Sequence, residues 1–396
     1  MIECHEESSP SGHLDHFEPV AGLFHLSMAM LNCIFKAHRL RDSDFGSLVS
    51  WINELHRFSG MWNTTTNKIK DFRACQSLLD HLLEGHILAA VATDLGAEDW
   101  DTLQIKLKGH NWRKLIQRVE TKFSNSLLVS EWREENADKR DFVHENAVLF
   151  LQHGLVYRRF AEALISGDSG WVQHCLKHFC IWLNNSDKKT SLPLYRSELI
   201  HIMACLTHAF SPNAKNHWLN HCLVNISGSP TGFRAVDLFG EYIVREMKRR
   251  LRHPLNPEND IFHRTVYAPQ VMTAKMVRQH IYDDVGAVQH YQHSSTVRAD
   301  LEIRNITEAL LREGVFKKVS GRRFYKAGGG EEAIEEAVDL YGSGVHKLWE
   351  GTHLNAYKEK LGKTNGLFGE DIDQLADEIL DRDGITGDDE AETEDF

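Results

Sequence analysis

The feature that most constrains this chain is where it has no proline. It holds eight prolines in all, yet none falls between Pro19 and Pro193. Proline removes a backbone donor and clashes with the preceding turn, so its absence over such a length leaves room for long helices. The apolar spacing uses that room. Phe72, Cys75, Leu79, Leu82, His86 and Ala90 recur at steps of three and four, as do Val148, Leu151, Leu155, Phe160 and Leu164. Such steps line one face of a helix. Similar patterns predict helices over Leu23–Leu40, Trp112–Trp132, Ser169–Leu183, Leu194–Phe210 and Gly232–Arg252. Alternating runs are scarce; the strand candidates are Phe17–Leu23 and Phe316–Tyr325. The expected class is mainly α, a large helical domain with few short strands.

Turn-forming clusters divide the helices at Ser166–Gly170, Asn184–Asp187 and Asn225–Pro230. The run Gly328-Gly329-Gly330 marks the end of the compact body. The expected organisation is a polar arm over residues 1–16, a main domain over 17–326, and a terminal region over 327–396. That last region reads as a glycine linker, a short Glu-rich helix over Glu331–Leu340 and an acidic, disordered tail.

The apolar share of 42% supports a sizeable core. No window comes near the roughly eighteen consecutive apolar residues of a membrane span, so no membrane association is expected. Residues Met1–His16 are polar and carry Glu3, Glu6 and Glu7, unlike a secretory signal. The seven cysteines form no C-x-x-C pair and sit mostly in apolar helical patterns, which fits a reducing compartment. The expected location is intracellular, nuclear or cytoplasmic. The net charge of −12 belongs to the tail: Glu370–Phe396 holds 13 acidic residues against Arg382 alone. The remaining body carries 44 acidic and 44 basic residues. It lacks the overall basic excess of a dedicated nucleic-acid binder, and only local stripes remain as candidates.

Two such stripes stand out. Lys248, Arg249, Arg250 and Arg252 close one predicted helix, and Arg322 and Arg323 lie beside the late strand candidate. Both are candidate phosphate contacts, against the plainer reading of solvated cations near a helix C-terminus. The histidines and cysteines from His174 to Cys222 include two i,i+4 pairs, His174/His178 and His217/His221. Their spacing matches no zinc signature, so no metal site is assigned. No phosphate-binding loop, nucleophile elbow, H-E-x-x-H or dinucleotide fingerprint is present. On the helix beginning near Val236, the residues Asp237, Glu241 and Arg245 share one face at four-residue steps. Its plain reading is a solvated face with favourable i,i+4 pairing. Gly240 is the oddity there, since a mid-helix glycine costs about 1 kcal/mol against alanine.

Three stretches carry a family resemblance. The first is Pro19–Met28, with Leu23-Phe24-His25 opening a helix. The second is Asp71–Cys75 followed by His81–Ala90. The third runs from Gly167-Asp168-Ser169-Gly170 through His201–His208, Trp218-Leu219-Asn220, Leu223-Val224-Asn225 and Ser227-Gly228 to Val236-Asp237-Leu238 with Glu241. In order and spacing these resemble the fungal DUF6589 family, a domain of unknown function, over most of the chain.

That family's architecture is in turn similar to cut-and-paste transposases with a ribonuclease H-like core carrying a helical insertion. The likeness implies that His25 ends a core strand, that residues 45–225 form the insertion, and that Glu241 is the late catalytic carboxylate. Phosphodiester displacement in such a core uses two divalent metals held by converging carboxylates, and magnesium would be the cofactor of an active one. The family pattern places a Gly-Asp-Gln motif upstream of Leu-Phe-His. The residues before Leu23 hold Asp15 but no such motif. The expectation is therefore a mobile-element-derived, non-catalytic protein with no bound cofactor, whose partners are DNA or protein. The alternative is a helical protein-interaction scaffold with no nucleic-acid role.

Overall fold

The computed structural model describes residues 22–251, apart from 41–44, 56–61, 64–67, 70, 125, 137, 186–191 and 226, then 270, 273, 276, 277, 299–325 and 334–342. The described chain is mainly α. In order it runs α1 (Leu23–Ala37), α2 (Leu48–Asn53), β1 (Trp62–Asn63), β2 (Lys68–Ile69), α3 (Phe72–Leu95), α4 (Trp100–Leu107), α5 (Trp112–Phe123), α6 (Ser126–Glu134), α7 (Phe142–Ser166) and α8 (Ser169–Asn184). It continues with α9 (Pro193–Ala204), a π-helical turn (Cys205–Ala209), α10 (Pro212–His221), β3 (Leu223–Asn225), β4 (Phe233–Ala235), α11 (Val236–Leu251), α12 (Ala299–Arg312), β5 (Phe324–Tyr325) and β6 (Ile334–Glu335). The strands pair only as antiparallel hairpins, β1 with β2, β3 with β4 and β5 with β6. Among the described residues, no helix is long and apolar enough to cross a membrane.

The chain divides into two compact units. The first gathers residues 1–25, 164–167 and 218–297, and the second gathers 26–163, 168–217 and 298–396. Most of the stretch between His25 and Trp218 therefore belongs to the second unit.

In the second unit the two longest helices form where proline is absent and caps are local. Asp71 accepts from the Ala74 N–H at 3.0 Å to start α3, and Gly96, at φ 66°, ends it. Asp141 accepts from the His144 N–H at 3.1 Å to start α7, and Asp168 accepts from the Trp171 N–H at 3.0 Å to start α8. Each cap satisfies a donor that the helix cannot satisfy itself, worth about 1 kcal/mol. Helices α3 and α12 approach closely at Gly85, where an added Cβ would lie 2.1 Å from Ile306 Cγ2. Nearby, His81 Nδ1 and Glu302 Oε2 meet at 2.7 Å. We expect Gly85→Ala to lower unfolding free energy by about 1–3 kcal/mol through overpacking, read as a lower denaturant midpoint. A midpoint that stays or rises would refute this contact.

A buried polar chain crosses the second unit. The Leu340 N–H donates to His153 Nε2 at 3.3 Å, and Asn146 Nδ2 donates to the Gly46 carbonyl at 2.6 Å. These ends set the direction of the links between them. His153 Nδ1–H donates to His38 Nε2 at 3.0 Å, and His38 Nδ1–H donates to Asn146 Oδ1 at 2.6 Å. Every member is buried and satisfied with both imidazoles neutral.

Several expected boundaries differ. The span Trp112–Trp132 breaks at Ser124, where α5 ends and α6 follows. The late strand candidate is mostly turn, with only Phe324–Tyr325 extended. Residues 17–21 of the early candidate lie outside the described residues, and Leu23 begins a helix instead of ending a strand. Of the Glu-rich helix expected over Glu331–Leu340, residues 331–333 lie outside the described residues and 334–340 form no helix. Ile334–Glu335 pairs with β5, and Glu336–Asp339 runs on outside any helix. Its backbone is held by distant groups: Arg133 donates to the Ala337 carbonyl at 2.8 Å, and the Val338 N–H donates to the Ala37 carbonyl at 3.2 Å. Ala337, Val338, Leu340 and Tyr341 are buried there, and a helix would break these bonds.

Candidate functional site

The first unit brings His25 and the start of α11 together. Hairpin β3–β4 pairs Leu223 with Ala235, and its turn is closed by Asn225, whose Oδ1 accepts from the Gly228 N–H at 2.8 Å. Strand β4 runs directly into α11, and the Val236 N–H donates to the Cys222 carbonyl at 3.1 Å. This places Asp237 in the first turn of α11 and Glu241 one turn later. Gly167, at φ 75°, belongs to the same unit; an added Cβ there would lie 2.8 Å from the Phe233 ring.

Helix α1 starts at Leu23 after Gly22, with no Ser, Thr, Asp or Asn beside it to cap it. Asp237 supplies the cap from far along the chain. Its Oδ1 accepts from the Phe24 N–H at 3.0 Å, and its Oδ2 accepts from the His25 N–H at 3.0 Å. Oδ2 also accepts from the His25 imidazole Nδ1–H at 2.9 Å. Gly22 makes this approach possible, since a Cβ there would lie 3.0 Å from Oδ2. The carboxylate thus serves as N-cap and fixes the imidazole tautomer, which turns Nε2 toward Glu241 Oε1 at 3.9 Å. Asp237 is 17% exposed, whereas His25 and Glu241 are 43% and 55% exposed.

The cluster contains one carboxylate filled by three hydrogen bonds, one exposed carboxylate and one oriented imidazole. A two-metal phosphodiester centre needs several converging carboxylates with open oxygens. These residues do not fit it, and among the described residues no group of three His, Cys, Asp or Glu side chains could hold a metal ion. A Cβ at Gly240 would meet nothing within 4 Å among the described residues, and none of them explains this glycine.

The other expected site residues lie elsewhere. Lys248, Arg249 and Arg250 fall in the last turns of α11, but their side chains, and Arg252 altogether, lie outside the described residues. Arg322 is an internal strut. Its guanidinium grips Asp141 with bonds of 2.6–3.0 Å and donates to the carbonyls of Glu313, Gly314 and Lys317. Arg323 pairs with Asp138. The Arg322 guanidinium is engaged by a buried acid, and the Arg323 guanidinium by Asp138, which is 77% exposed.

Of the histidines and cysteines, His174 and His178 meet through their Nε2 atoms at 3.2 Å, and His178 Nδ1 reaches the Tyr341 hydroxyl at 2.7 Å. His201 Nε2 lies 3.7 Å from Cys205 Sγ. Burial pushes the Cys175 and Cys180 thiols up to about 12 and those of Cys205 and Cys222 up to about 11, which keeps them protonated. The residue that sequence reasoning undervalued is Asp237, noted as part of a helix face and of a family stretch but given no role. The signal was present in Gly22-Leu23-Phe24-His25, a helix start without a local cap.

No curated protein and no solved structure matches the chain. The family described as a family of unknown function (DUF6589) matches over residues 2–293, well over half of the 396 residues, and the chain belongs to that family.

Proposed function

We propose that this chain is an intracellular, mobile-element-derived protein that binds nucleic acid without cutting it. The observation that carries the reading is the meeting of His25 with Asp237 and Glu241 across more than 200 residues of sequence, most of which belong to the other unit. A histidine beside the glutamate of a late helix, with a helical segment inserted between them, is the plan of a ribonuclease H-like transposase core. The chemistry has changed. Asp237 caps a helix, and Glu241, more than half exposed, faces the His25 imidazole at 3.9 Å. Without converging carboxylates among the described residues, an oriented imidazole supplies no metal-assisted attack on phosphorus, and the reading favours binding.

A helical protein-interaction scaffold is the second reading. The specific observation in its favour is the engagement of Arg322 and Arg323 by Asp141 and Asp138, which gives both cations acidic partners within the chain.

A labelled-oligonucleotide titration at rising salt decides between them. We expect binding that weakens steeply with salt and no cleavage with magnesium or manganese. No binding at low salt leaves the scaffold reading. Metal-dependent cleavage that disappears in Glu241→Ala overturns the non-catalytic assignment.

A further inference from the structure

We infer that the outer face of α5, in the second unit, is a binding surface for single-stranded nucleic acid; this rests on the nucleic-acid reading above. Between Lys106 and Lys122 the chain carries six basic residues, Lys106, Lys108, Arg113, Lys114, Arg118 and Lys122, against Glu120 alone. In a body whose charges balance overall, this is a concentrated positive stretch.

Helix α5 rests on the fold through a narrow stripe, Leu115, Val119 and Phe123, and its other residues up to Lys122 are exposed. At 100° per residue, Arg113 and Lys114 project from the outer side, and Arg118 and Lys122 flank the stripe on one edge. Trp112, in line with the stripe at the first turn of the helix, and Ile116, on its other edge, are 56% and 58% exposed.

A merely solvated helix face arranges its charges differently. On α12 Arg304 pairs with Glu308 four residues ahead, and on α7 Arg158 has two acids, Glu162 four residues ahead and Glu84 of α3. Arg118 and Lys122 instead share the single carboxylate of Asp94 on α3, itself 1% exposed. One buried acid tethers two half-exposed cations, so a positive excess stays on the surface.

The occupant follows from this composition. A row of cations along a helix attracts a polyanion, and counterion release makes that attraction sequence-independent. An indole more than half exposed at the end of the row offers a stacking surface, which the unpaired bases of a single strand can reach and those of a duplex cannot. An acidic polypeptide shares the charge but has no bases to stack on Trp112.

The test uses the full chain and a fluorescent oligo-dT in an anisotropy titration at several salt concentrations. We expect Trp112→Ala to weaken binding about tenfold with an unchanged salt slope. We expect Arg113→Gln with Lys114→Gln to flatten the slope by roughly 0.7 per lost phosphate contact. All three positions are exposed, and matching circular dichroism melts establish that the variants fold. If the wild-type chain binds but these variants bind equally well, the α5 surface is wrong and the nucleic-acid reading survives. If the wild-type chain binds no oligonucleotide, both fail. Tighter binding of a duplex of equal length, or displacement of oligo-dT by polyglutamate at equal charge, overturns the single-strand assignment.

Discussion

Acidifying the protein from about pH 7 to about pH 4 unfolds the second unit, with a midpoint at about pH 5. The cause is a set of histidines that the fold buries neutral. Burial pushes His38 down to about 4, His86 to about 3 and His178 to about 4, and it lowers His144 and His153 as well. Their surroundings leave a second proton no place. His38 Nε2 already accepts from His153, whose own Nε2 accepts from Leu340. His86 donates Nδ1–H to the Leu82 carbonyl at 2.7 Å, and its Nε2 meets no hydrogen-bond partner among the described residues. It lies against the rings of Trp51 and Phe150, with centroids at 4.3 Å and 4.7 Å. The neighbouring charges do not help either. His174 and Lys177 oppose a proton on His178, and Arg133 opposes one on His153.

The sign follows from proton counting. Above about pH 6.5 both folded and unfolded chains hold these imidazoles neutral, and stability is at its full value. Below it the unfolded chain takes up protons that the folded chain refuses. Stability then falls by about 1.4 kcal/mol per pH unit for each histidine until its folded pKa is reached. At pH 5 the three groups with stated values remove roughly 6 kcal/mol together, against a total stability of about 5–15 kcal/mol. Asp80, which burial raises, works in the opposite direction but is one group against five. Circular dichroism and tryptophan fluorescence against pH measure the midpoint. His86→Met, which removes one titrating group from an apolar pocket, should move it to lower pH. A chain that stays folded at pH 4 would refute the argument.

These buried imidazoles also mark what could be read from sequence. His86 was visible as one position of an apolar stripe with Leu79 and Leu82, and α3 formed where that stripe and the missing prolines predicted it. Helices α7 and α8 were legible for the same reason, with the turn cluster Ser166–Gly170 between them. The partner of a polar residue was not legible when it lay far along the chain. Asp237 reads as one more surface acid until α1 is seen to begin without a cap, more than 200 residues earlier than the acid that completes it. Glu331–Leu340 has the composition of a helix, yet part of it pairs with β5, and Val338 bonds to Ala37 while Leu340 bonds to His153. Local propensity is worth tenths of a kcal/mol per residue, and such tertiary bonds outweigh it. Arg322 carries the same lesson in its charge: a cation in a basic run looks free until its acid is found 181 residues away.

That acid is where we expect the largest effect of a single substitution, and Asp141→Ala should destabilise the protein by about 3–5 kcal/mol. Asp141 is 1% exposed and has two tasks. It caps α7 through the His144 N–H, and it anchors the segment after α12 by accepting from the Val319 N–H at 2.6 Å and from Arg322 through Nε and Nη2. Alanine removes the cap, worth about 1 kcal/mol, and leaves a partly buried guanidinium without its counter-charge. Its remaining bonds, to the carbonyls of Glu313, Gly314 and Lys317, hold the cation in place and prevent it from reaching water freely. The stranded charge is therefore the dominant loss, and a double-mutant cycle isolates it. Replacing Arg322 by Met should relieve much of the penalty in the Asp141→Ala background, so that the double variant is more stable than the sum of the two single losses. Urea unfolding of the four proteins measures the coupling. Strict additivity would mean that Arg322 does not depend on Asp141, and the stripe at Arg322 and Arg323 would again be open as a phosphate-binding surface.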